Sequence, residues 1–137
     1  MKKRFMKSAV AIILVMVAVF TCSSAAVQPR WKYVSSITGN IDISSLGIVS
    51  ASATGTASSL DVTKTVCKVS LQQMKNGKWV TLKTWSASSN THAASVDTKH
   101  WAVDHGYSYR IYIVLEAYKG NTLLETGTGT VLYGYYQ

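Results

Sequence analysis

Between residues 31 and 137 the apolar positions alternate with polar ones along short runs rich in β-branched and aromatic residues, and no stretch sustains the i, i+3, i+4, i+7 spacing of an amphipathic helix. The alternation predicts strands at 31–37 (WKYVSSI), 48–56 (IVSASATGT), 62–73 (VTKTVCKVSLQQ), 79–86 (WVTLKTWS), 93–99 (AASVDTK), 107–118 and 123–135, with a short one at Ile41 to Ile43. Seven or eight strands at this spacing predict an antiparallel two-sheet sandwich. Asn76-Gly77 and Gly120-Asn121 each sit between two strong strand patterns and predict tight hairpins, because these residues tolerate positive φ. Ser86 to Thr91 is expected to be a polar loop.

The densest chemistry lies in residues 100–118, HWAVDHGYSYRIYIVLEAY. Period two places Tyr107, Tyr109, Ile111, Ile113, Leu115 and Ala117 on one face and Ser108, Arg110, Tyr112, Val114, Glu116 and Tyr118 on the other. The first set is apolar enough to be core. Asp104-His105-Gly106 reads as a turn into that strand. The run Gly106, Tyr109, Ile111, Ile113 resembles the start of strand F in immunoglobulin and fibronectin type III domains. That resemblance implies a tyrosine corner, in which the Tyr109 hydroxyl bonds an upstream backbone group. No cysteine stands near Ile111 to supply the immunoglobulin disulfide.

Ahead of the strands, a basic start (Lys2, Lys3, Arg4, Lys7), an apolar run from Ala9 to Phe20 and a small-residue patch from Thr21 to Ala26 have the layout of a secretory signal peptide. The apolar run falls short of the roughly 20 residues of a spanning helix. Ser24-Ala25-Ala26 predicts cleavage before Val27, so 1–26 is read as leader and 27–137 as one domain. Phe20 and Thr21 suit a lipid-anchor motif at Cys22 poorly. The leader carries four of the 14 Lys+Arg and none of the 6 Asp+Glu, so the charge falls from +8 to +4 after cleavage. A modest positive charge suits cell-wall polymers or phospholipid headgroups. The basic residues are scattered singly, which argues against nucleic acid.

Pro29-Arg30-Trp31-x-Tyr33, the Trp79 to Trp85 strand, Tyr109-Arg110 and Glu125 together are similar to a group of small secreted proteins of Gram-positive bacteria. That similarity implies a secreted β-sandwich and brings no established activity.

Candidate chemistry is sparse. His92, His100 and His105 with Asp97 and Asp104 hold one pair at zinc-ligand separation but no second pair, so no metal site is expected. No G-x-S-x-G elbow supports a serine nucleophile. The Gly-rich run Thr126 to Thr130 has no following helix to bind phosphate. No catalysis and no cofactor are expected. Cys67 alternates with Thr65, Val69 and Leu71 and is expected to be a buried thiol.

The chain's four Trp and eight Tyr all follow the leader. Trp79, Trp85 and Tyr109 are expected in the core. Tyr112 and Tyr118 are expected to face outward and to form a stripe with Tyr133 and Tyr135, with Arg110 on the same face. Such a stripe suits a sugar polymer or a protein partner, and it equally suits cross-strand packing. The favoured reading is an exported, non-catalytic binding or adhesion module acting on cell-wall glycan or an extracellular protein, with membrane contact only through the leader. A secreted antimicrobial or toxin-like protein is the alternative. An enzyme built on His100, Asp104 and His105 comes third.

Overall fold

The computed structural model describes residues 30–137 apart from Ser59 and Lys99. The expected leader, its cleavage site and Cys22 lie outside the described residues. Eight strands follow one another: β1 (Val34–Ile43), β2 (Ile48–Ala57), β3 (Lys64–Lys75), β4 (Lys78–Ser89), β5 (Ala93–Asp97), β6 (Trp101–Ala102), β7 (Tyr107–Lys119) and β8 (Thr122–Tyr136). They form two antiparallel sheets, β1-β2-β5 with β6 also on β2, and β4-β3-β7-β8. This is the two-sheet sandwich expected from the alternation. β4 pairs with β3 in the second sheet, whereas in the immunoglobulin constant arrangement the strand after C joins the first.

The two inner faces differ in side-chain size, and that difference closes the sandwich. β7 and β3 offer Tyr109, Ile111, Ile113, Leu115, Val69 and Leu71, all almost wholly buried. Facing them, β1 and β2 offer Ala51, Ala53, Gly39 and Gly55. A Cβ at Gly55 would stand 2.4 Å from Leu115 Cδ1, and one at Gly39 would stand 2.5 Å from Ile113 Cδ1. Glycine is required at both because the β7 side chains occupy that space. Gly127 and Gly129 of β8 play the same part toward β1: a Cβ at Gly127 would meet Val34 and Ile37 at 3.0 Å and Trp31 at 3.3 Å. The Thr-Gly-Thr-Gly-Thr run is therefore a seat for the first strand.

β1 is fastened to β8 by one carboxylate. Glu125 accepts hydrogen bonds from the backbone N–H groups of Lys32, Tyr33 and Val34 at 2.8, 2.7 and 2.7 Å. Burial works to raise its pKa, but the three N–H donors and nearby Lys32 outweigh it and hold the carboxyl below its ordinary value.

Three expectations about the elements are corrected. The segments 31–37 and 41–43 form one strand beginning at Val34, continuous through Gly39, because the glycine leaves room for Ile113. Ser86 to Ser89 is strand, pairing with Thr65 to Lys68, since a polar sequence suits an edge strand with one wet face. Both residues of Asn76-Gly77 have positive φ (50° and 76°), as a type I′ turn demands. In Gly120-Asn121 only Gly120 does (φ 59°), which is the type II′ pattern.

Candidate functional site

The 100–118 segment is a structural corner. Tyr109 is fully buried, and its hydroxyl donates to the Asp104 carbonyl at 2.7 Å and accepts from Gln73 Nε2 at 2.8 Å. Gly106 turns the chain with φ 88°, and its N–H donates to the Tyr136 carbonyl. His105 stacks on Tyr136 with ring centroids 4.4 Å apart, and its Nδ1 lies 2.5 Å from the Gln137 carbonyl oxygen. His92 sits at the opposite end of β2, where its carbonyl accepts from Ala57 N. Among the described residues no three His, Cys, Asp or Glu side chains converge to hold a metal ion.

Cys67 is a free thiol with no exposed surface, and burial pushes its pKa up. Trp85 packs against the core, edge-on to Trp101 at 6.2 Å. Trp79 is not in the core. A bulge between Leu71 and Gln72 of β3 and their partners on β4 leaves Leu82 unmatched and sets Trp79 opposite Met74 on the outer face. A strict period of two through β4 conceals this change of face.

On that outer face the Arg110 guanidinium lies 4.3 Å from the Trp79 ring centroid. Its Nε donates to Gln72 Oε1 at 2.7 Å. Gln72 in turn donates from Nε2 to Thr81 Oγ1 at 3.2 Å. The arginine is thus held by a ring and a side-chain amide, and no carboxylate among the described residues pairs with it. Its terminal N–H groups remain for an outside acceptor. Leu132 stands directly across from Arg110 on β8, and Tyr135 stands across from Ser108. Both are well exposed, at 65% and 61%. Tyr112 lies one outward position along β7, between Ser70 and Thr130.

The tyrosine stripe expected from the sequence is only partly assembled. Tyr133 is turned inward: a bulge opposite Tyr109 and Arg110, with Gly134 at φ 104°, shifts the end of β8 by one residue. Its ring packs edge-on to Tyr136, and its hydroxyl donates to the Ile43 carbonyl at 3.4 Å. Tyr118 faces outward but stands six residues from Tyr112, about 20 Å along the strand. It belongs to a separate polar group, in which its hydroxyl donates to Glu116 Oε2 at 2.7 Å and Lys64 Nζ lies 4.6 Å from its ring centroid. Glu116 also binds Lys68 at 2.5 Å. Its hydrogen bond from Lys68 is the chief reason its pKa is lowered. The face therefore centres on Trp79, Arg110, Tyr112, Leu132 and Tyr135.

The outer face of the other sheet is made of small polar residues. It holds a shallow depression of about 230 Å³ lined by Asn40, Asp42, Ser50, Ser52, Asp97 and Thr98. Among the described residues that line it there is no aromatic side chain. No protein-family description, curated protein or solved structure matches the chain.

Proposed function

We propose that the protein is an exported, non-catalytic binding module whose contact surface is the outer face of β4-β3-β7-β8 around Arg110. The observation that carries this reading is the restrained arginine: Trp79 and Gln72 hold it, and no acceptor among the described residues takes its terminal N–H groups. A held guanidinium loses little side-chain entropy on binding and presents a planar fork to a carboxylate or to sugar hydroxyls. The exposed Leu132 and Tyr135 beside it supply apolar and amphipathic area of the kind that covers a sugar ring or a protein segment.

A structural reading assigns the same contacts to sheet stability alone, and experiment separates the two. Wild type, Arg110→Ala and Tyr135→Ala, each checked for cooperative unfolding, are used to capture ligand from purified cell wall, extracellular polysaccharide and secreted-protein extracts. Binding by wild type, with loss in both folded variants, supports the module. Equal capture by all three would show that this face does not bind the ligand.

A further inference from the structure

At the end of the sandwich where the chain enters, three features meet. The β2–β3 loop carries Leu60, which is 93% exposed, and the β7–β8 hairpin carries Leu123, which is 50% exposed. The two segments are tied together: Lys119 Nζ binds Asp61 Oδ1 at 2.9 Å, and Gly120 N donates to Thr63 Oγ1 at 2.7 Å. Tyr33 joins them, its carbonyl accepting from Ser58 N. Both exposed leucines thus stand on segments that are tied to one another.

The tip is ringed by cations. Lys32 lies over the Tyr33 ring at 4.8 Å and Lys64 over the Tyr118 ring at 4.6 Å. Lys119 stands at the hairpin itself, where Asp61 balances its charge. The nearby carboxylates are already engaged: Asp61 by Lys119, Glu116 by Lys68 and Tyr118, and Glu125 by three backbone N–H groups. Asp42, Asp97 and Asp104 lie toward the rest of the molecule, on the first sheet's outer face and in the turn before β7. Neither Lys32 nor Lys64 forms an ion pair among the described residues.

We infer that this tip docks on a phospholipid bilayer bearing anionic headgroups. The lysines meet the negative surface while Leu60 and Leu123 enter the interfacial layer. Apolar side chains ringed by lysine match such a surface because the bilayer offers both a field that attracts cations and an apolar layer just beneath it. A soluble polyanion would use the lysines and leave the leucines idle. This inference is independent of the Arg110 face.

The test uses the chain expressed from Val27, whose two sheets and core lie within the compact unit Trp31–Gln137, with folding confirmed by cooperative unfolding. It is sedimented with phosphatidylcholine vesicles, with and without phosphatidylglycerol. The expected result is binding only to the anionic vesicles, weakened by salt. Leu60→Ser/Leu123→Ser should lower vesicle affinity by about tenfold or more. Each of Lys32→Gln and Lys64→Gln should lower it by about fivefold. Leu46→Ser, at a leucine of the β1–β2 turn that is 86% exposed, should leave it unchanged. Absence of binding, equal binding to neutral vesicles, or unchanged affinity in the double leucine variant overturns the inference. Loss in the lysine variants alone overturns it too, by reassigning the tip to a soluble polyanion.

Discussion

The Tyr109 hydroxyl and the Asp104 carbonyl, five residues apart and 2.7 Å from one another, fix the turn that launches β7. The same hydroxyl accepts from Gln73, a buried side chain of β3. One phenol thus ties a turn to the neighbouring strand. This corner holds the strand that places Arg110 on the opposite face.

Tyr109→Phe removes both bonds and leaves the Gln73 amide buried without this partner. Stability should fall by about 1–3 kcal/mol, read as a lower denaturation midpoint with unchanged slope. An unchanged midpoint would mean that the corner contributes nothing to stability.

Gly55 has no room for a side chain against Leu115. Gly55→Ala should cost about 1–3 kcal/mol through forced repacking, and Gly55→Ala/Leu115→Ala should recover part of the loss attributed to the clash. A double-mutant cycle checks the coupling. Strict additivity would contradict the size complementarity between the sheets.

Glu125 links stability to pH with a defined sign. Its folded pKa is lowered, so its contribution is present above the ordinary glutamate value of about 4.3 and is lost as pH falls through the lower folded value. Glu125→Gln should destabilise the protein at neutral pH by about 2 kcal/mol and flatten the decline in stability below pH ~4. Parallel pH profiles for the two proteins would show that another carboxylate governs acid unfolding.

Much of the sandwich was legible because one wet face and one dry face impose period two, and β7 keeps that period from Tyr109 to Ala117 without interruption. The hairpin at Asn76-Gly77 was legible for an equally local reason, since positive φ at two successive residues selects those types. The misplaced residues lie beside bulges. Leu82, three residues after Trp79, and Tyr133 itself are unmatched residues that reverse the faces of their strands, and a bulge depends on pairing with another strand rather than on its own sequence. The Glu125 clamp joins residues 91 to 93 positions apart, and no local pattern marks such a contact. Period two alone sets Arg110 on the outer face, but its Trp79 support depends on the bulge in β4.

On this proposal the Arg110 face, and not the small polar face of the first sheet, receives the ligand. The most direct measurement is amide and side-chain chemical-shift mapping by NMR while the captured ligand is titrated into the labelled protein. Perturbations are expected to cluster at Gln72, the Trp79 indole, Arg110, Tyr112, Leu132 and Tyr135, and to be absent in a folded Arg110→Ala variant. Perturbations confined to Asn40, Asp42, Ser50, Ser52 and Asp97, or a pattern unchanged by Arg110→Ala, would contradict the proposal.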